Sequence, residues 1–189
     1  MAFAYVALGA LLTLALVIVR QRQASFSAQR PEDYAEGPQF DIRRELNGDL
    51  DCEGMIYGPT GRVTSRFTAR FNCQWEGNRG VMRETFHYDS GNTQHREWAL
   101  TLGNDGRILA DAVDLVGEGR GRQEGSAVQL NYTIRLPAEA GGHALKVDDW
   151  MYLMPNGTIM NRSQFRKFGI QVAELVATMR PATAAIAGE

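Results

Sequence analysis

Acidic side chains set among apolar ones are the first place to look for chemistry in this chain. The stretch VDDWMYLMPNGTIMNRSQFRKFG, Val147 to Gly169, places Asp148 and Asp149 ahead of an aromatic and aliphatic run, followed by a PNG turn and a basic segment. Paired carboxylates divide general acid and base work in many enzymes. On an extended strand, however, successive side chains point to opposite faces, so these two cannot form a dyad with each other. Asp149 shares its face with Leu145, Val147, Met151 and Leu153, which exposes it to burial. A buried carboxylate needs a partner, and Arg162, Arg166 and Lys167 are the natural candidates. An ion pair from that segment to Asp149 is the expectation.

Glu84 poses the same question in VMRETFHY, on a face with Met82, Phe86 and Tyr88. Arg96 lies opposite it across the DSGN turn in one register and on the other face after a one-residue slip. Structural polar contacts are favoured for both acids, with ligand orientation second and catalysis third. Cys52 and Cys73 show neither CxxC spacing nor a neighbouring histidine and read as structural thiols. The 3 histidines, His87, His95 and His143, are too few for a histidine-rich metal centre. GEGRGRQEG, Gly117 to Gly125, lacks the Lys-Ser/Thr ending and strand-to-helix context of a phosphate loop, and reads as a strand bend and turn. The chain is therefore read as non-enzymatic, with no catalytic residue, no metal and no cofactor.

The elements that must position these residues are strands. Segments of alternating character at Leu50–Tyr57, Val63–Trp75, Val81–Tyr88, Arg96–Leu102, Arg107–Gly117, Ala127–Leu136, Ala144–Leu153, Thr158–Ser163 and Lys167–Met179 are separated by GPTG, EGNRG, DSGN, GNDG, QEG and PNG. Gly, Asn and Asp tolerate the positive φ that tight hairpins require. Eight or nine strands with short turns predict an all-β, antiparallel up-and-down barrel, closed so that no edge is left exposed. In Phe67, Ala69, Phe71, Cys73 and Trp75, and again in Val128, Leu130, Tyr132, Ile134 and Leu136, one apolar face opposes a polar one. PQFDIRREL ahead of the first strand is a candidate helix plugging one barrel mouth.

Met1 to Val19 carries no charged side chain and spans about 28 Å as a helix, close to the hydrocarbon thickness of a bilayer. It reads as a single-pass anchor, residues 1–19. Residues 20–38 are polar and broken by proline, as in a tether; residues 39–180 form the barrel and 181–189 a flexible tail. Arg20 and Arg22 flank the far end of the span, so the positive-inside rule leans the barrel toward the cytoplasm, with the periplasm as the alternative. A net charge of −2 offers no footprint for nucleic acid.

The motifs FDIRRELNGDLDCEG, GPTGRVTSRFTARFNCQWEG, ETFHYDSG, REWALTLGNDG, DAVDLVGEGRG, NYTIRLP, DDWMYLMPNGTIMNRSQFRKFG and VAELV, in this order, span roughly Phe40 to Val176. In this order the chain resembles a bacterial envelope family known as domain of unknown function 3833. The resemblance implies a lipocalin-like barrel and carries no established activity or catalytic residue. Many members of that family look like lipoproteins with a cysteine after the signal. Here no cysteine precedes Cys52, so the helix stands in for a lipid anchor.

An eight-stranded barrel is just wide enough to hold one small ligand or to be filled by its own side chains. Trp75, Tyr88, Trp98 and Tyr132, with Glu84, Arg96, Asp149 and Arg162, make up the candidate ligand-binding set. The expected role is binding of a lipid or other apolar or amphiphilic molecule at the bacterial inner membrane. The alternative is a structural or interaction subunit with a filled barrel and a membrane-protein partner.

Overall fold

A computed structural model describes residues 2–182. Met1 of the expected anchor and residues 183–189 of the expected tail lie outside it. Helix α1, Ala2–Gln23, is exposed along its apolar length, and Ala2–Arg20 is long and apolar enough to cross a membrane. Two single-turn 3-10 helices, Phe26–Ala28 and Pro31–Tyr34, and a short α2, Ile42–Glu45, lead into ten strands. These are β1 Gly48–Tyr57, β2 Val63–Glu76, β3 Arg79–Tyr88, β4 Thr93–Leu102, β5 Arg107–Asp111, β6 Gly119–Glu124, β7 Ala127–Arg135, β8 Ala144–Leu153, β9 Ile159–Lys167 and β10 Ile170–Pro181. Each pairs antiparallel with its neighbour in sequence, and β10 returns to β1 to close the barrel.

One local effect makes ten strands rather than eight or nine, and a second moves the boundary between the last two. Arg107–Gly117 is not one strand: β5 ends at Asp111, and the glycine-rich stretch that reads as a bend contains β6. Its glycines permit close packing, since a Cβ on Gly121 would stand 2.0 Å from the Gln129 carbonyl oxygen of β7. Lys167 ends β9, and a tight turn then starts β10, with positive φ at both Phe168 (51°) and Gly169 (82°). That pairing of left-handed residues matches the twist of an antiparallel hairpin.

The inward faces follow the alternation in the sequence. Phe67, Ala69, Phe71 and Cys73 of β2 are buried, as are Val128, Leu130 and Tyr132 of β7. One end of the barrel is closed by α2 and its flanks, where Phe40, Ile42 and Leu46 join the core. Asp41 caps α2 by accepting from the Arg43 amide (3.0 Å), and the Phe40 amide donates to the Gly125 carbonyl (2.7 Å). At the other end the β3–β4, β5–β6 and β7–β8 connections surround an opening.

The segment after α1 lies against the outer wall of β8. Tyr34 packs edge-on against Trp150 (5.5 Å) and Tyr152 (5.2 Å), and the Tyr34 and Tyr152 hydroxyls both donate to Gln29 Oε1. Trp150 is completely buried although it points away from the barrel interior. Strand β8 is thus covered on its outer face around Trp150 and Tyr152.

Candidate functional site

The hollow of the barrel is a cavity of about 1010 Å³ that opens between the connections just named. Small-molecule sites run to about 1,000 Å³, so it stands at the large end of that range. Leu100, Leu130, Met151 and Met179 line it toward the plugged end, and Ile56, Phe67, Phe86 and Leu175 line it toward the mouth. A smaller depression of about 540 Å³ lies near the β1–β2 turn and β10, and its acid, Glu174, is already paired with Arg162.

Across this apolar surface runs a belt of polar groups, placed by strand register. Glu84 of β3 stands directly opposite Arg96 of β4. Arg96 is turned mainly toward Asp114 in the β5–β6 loop, donating from Nε to Oδ2 (2.7 Å) and from Nη2 to Oδ1 (3.0 Å). Its guanidinium also lies 4.1 Å from the Trp98 ring centroid, a cation–π arrangement. Arg96 Nη1 is 4.0 Å from Glu84 Oε2, within reach of charge attraction but beyond a hydrogen bond. Glu84 Oε2 has no hydrogen-bond partner although the residue is only 6% exposed.

Asp149 completes the belt from β8. It accepts from Asn161 Nδ2 (2.6 Å), Ser163 Oγ (2.7 Å) and, at the longer distance of 3.3 Å, the Tyr132 hydroxyl. The expected ion pair from the basic segment does not form. Ser163 is the residue registered opposite Asp149, so Ser163 and Asn161 turn inward while Arg162 between them turns outward. Arg162 instead donates to Glu174 (3.2 and 3.1 Å) and lies over the Phe26 ring.

Burial governs the electrostatics of the belt. It pushes Glu84 up to about 7, with Arg96 and Trp98 acting against the shift and the charges of Asp149 and Asp114 adding to it. Burial also raises Asp149, moderated by its three donors, and holds Tyr132 well above the usual phenol range. Cys52 and Cys73 are buried free thiols pushed up to about 12 by burial, so they are poor nucleophiles at neutral pH. Among the described residues no group of three His, Cys, Asp or Glu side chains is placed to hold a metal ion.

Of the eight candidate residues, Glu84, Tyr88, Arg96, Trp98, Tyr132 and Asp149 are brought together on the cavity wall. Trp75 and Arg162 are not. Trp75 folds over Gly80 near the plugged end and donates from Nε1 to the Leu46 carbonyl (2.7 Å), fastening the plug. Asp114, Asn161 and Ser163 belong to the belt, and alternation in the sequence does not single them out. Pairing β8 with β9 outward from the PNG turn sets Ser163 against Asp149 and would have found two of them. Asp114 sits in a loop that alternation reads as strand, and no local signal marks it.

Two solved structures share this fold. An S-type phycobiliprotein lyase from Guillardia theta is 9% identical, with a TM-score of 0.59, covering 83% of this chain and 99% of its own. A protein of unknown function from the DUF3598 family of Nostoc punctiforme is 12% identical, with a TM-score of 0.54, covering 78% of this chain and 51% of its own. At these identities the likeness is one of fold, a closed antiparallel barrel of lipocalin-like type. No curated protein matches the chain. The family profile described as protein of unknown function DUF3833 matches residues 22–181, which takes in the barrel and the segment packed against it, and the chain belongs to the DUF3833 family.

Proposed function

We propose that this protein is a membrane-anchored barrel that binds one lipid or other amphiphilic small molecule in its interior. The observation that carries this reading is the cavity itself: about 1010 Å³, plugged at one end, open at the other, and largely apolar within apart from a polar belt, with further polar residues such as Ser90, Asn92 and Arg135 in its lining. A barrel serving only as scaffold gains stability from filling such a space, because interiors pack to crystal-like density. One fold neighbour is named as a phycobiliprotein lyase.

In this reading α1 holds the barrel at the bacterial inner membrane, where an amphiphilic guest is concentrated. Arg20 and Arg22 at the end of the span favour a cytoplasmic barrel by the positive-inside rule. The role is carriage or sequestration rather than chemistry: among the described residues the hydroxyl–imidazole pairs Thr85–His95 (3.1 Å) and Thr93–His87 (3.2 Å) are solvent-exposed, apart from the buried acids. An interaction subunit is the second reading, favoured by Val113, Phe168 and Ile170, which are strongly exposed at the open end. Native mass spectrometry of the full chain extracted gently with its own membrane, followed by organic extraction, tests the choice. A defined co-purifying small molecule supports binding, and a bare mass or one raised by a second protein overturns it.

A further inference from the structure

The charges facing the cavity do not balance. Three carboxyls, Glu84, Asp114 and Asp149, face the guanidinium of Arg96 inside the cavity, while Arg135 and His95 line it only as exposed residues. Asp114 takes two of the Arg96 N–H groups at short range, while Glu84 is left 4.0 Å from the third nitrogen. Asp149 is supplied with three neutral donors, so its oxygens are satisfied without a cation. Glu84 alone is deprived, a carboxyl in the cavity wall with one oxygen unpartnered. Buried polar atoms are nearly always paired, and one that is not asks what completes it. A carboxyl also turns freely about its last bond, so it can present either oxygen to a guest.

The complement to this arrangement is a donor carrying positive charge. A carboxylate or phosphate head would meet two uncompensated acids and an arginine already engaged. An alcohol would supply one donor and leave the charge imbalance in place. From this geometry we infer that the belt receives the amine or ammonium head of an alkyl amphiphile, with Glu84 as its ion-pair partner. The chain of the amphiphile then lies against the apolar surface around Leu100, Leu130 and Met151. This inference rests on the ligand-binding reading above and sharpens it to a head-group class.

The test uses the full chain in lipid nanodiscs titrated with decylamine, decanol and decanoate, with bound ligand counted by native mass spectrometry. One decylamine per chain is expected, at least tenfold tighter than decanol or decanoate. Glu84→Gln should weaken decylamine at least tenfold, a cooperative thermal melt serving as the check that the variant is folded. Tightest binding of decanoate or decanol by the native chain overturns the amine assignment while preserving the barrel as a binder. Unchanged decylamine affinity in folded Glu84→Gln likewise removes Glu84 as the partner. Retention of none of the three overturns the binding reading together with this one. The preference of the native chain decides the head group even if the variant does not fold.

Discussion

Strand β8 sets two aspartates side by side and gives them opposite surroundings. On its outer face Asp148 accepts from Gln129 (3.0 Å), and the Trp150 ring beside it is stacked on Tyr152 and roofed by Tyr34. On its inner face Asp149 looks into an open hollow. The outer face has been filled from within the chain, by the Phe26–Tyr34 segment, whereas no described segment fills the inner face. Complete burial of an outward tryptophan shows that this sequence packs aromatic surface tightly where packing is the purpose. The interior space is therefore a feature of the design of the barrel rather than looseness of the whole. Trp150→Ala should break the outer half of the contrast, costing about 3–5 kcal/mol of stability in urea unfolding, and leave ligand binding in the surviving folded fraction intact. A cost below about 1 kcal/mol would show that the Phe26–Tyr34 segment is not a structural cover.

The inner half is tested by pH. Glu84 has a folded-state value near 7, above the ordinary carboxylate range, because its charged form is buried. A raised value means that the folded chain holds the proton longer, so this contribution to stability is full below about pH 4.5 and is lost as pH rises through about 7. Glu84→Gln removes the titration. The variant should match the native chain at pH 4 and exceed it by about 3 kcal/mol at pH 8. Parallel stability curves for the two proteins would show that Glu84 is compensated in solution, and the cavity would then lack its distinctive acid.

How far the contrast was legible depends on which interaction wrote it. Alternation in β2, β7 and β8 assigned the inward faces, because a strand's period of two is imposed by its own backbone. It placed Tyr132 and Asp149 on the cavity side, and the same period in β3 put Glu84 there with Met82, Phe86 and Tyr88. It did not yield β6, since Gly119 and Gly121 serve close approach to β7 and look like turn residues in isolation. It also led charge to be matched with charge at Asp149, where register selects Ser163 and Asn161 instead. The packing of the Phe26–Tyr34 segment is illegible for a different reason. QRQASFSAQRPEDYAEGP has no periodicity, and the burial of Phe26 and Tyr34 depends on where Trp150 and Tyr152 stand in space.

Replacing each aspartate sharpens the comparison within a single strand. Asp149→Ala leaves the donors of Asn161, Ser163 and Tyr132 without their acceptor, at a cost of about 1–3 kcal/mol. Asp148→Ala removes one hydrogen bond from Gln129, about 0.5 kcal/mol. Thermal melts of the two variants should therefore differ clearly. Equal midpoints would mean that water entering the hollow serves the inner donors as well as the carboxylate does.

The smallest effect is expected at Arg162, which neighbours Asp149 in space yet belongs to the other face. Its side chain is 47% exposed, and its partner Glu174 retains hydrogen bonds from Gln164 and Gln171. An exposed ion pair contributes about 0–1 kcal/mol, because solvent screens the attraction and ordering two long side chains costs entropy. Arg162→Ala should thus shift the urea midpoint little and leave decylamine binding unchanged, while the same substitution at Arg96 strips Asp114 of its bidentate partner and leaves a third acid in the cavity uncompensated. A change in binding from Arg162→Ala as large as that from Arg96→Ala would mean that the two faces of the wall are coupled through β9, and the separation between the packed outer face and the hollow inner one would no longer hold.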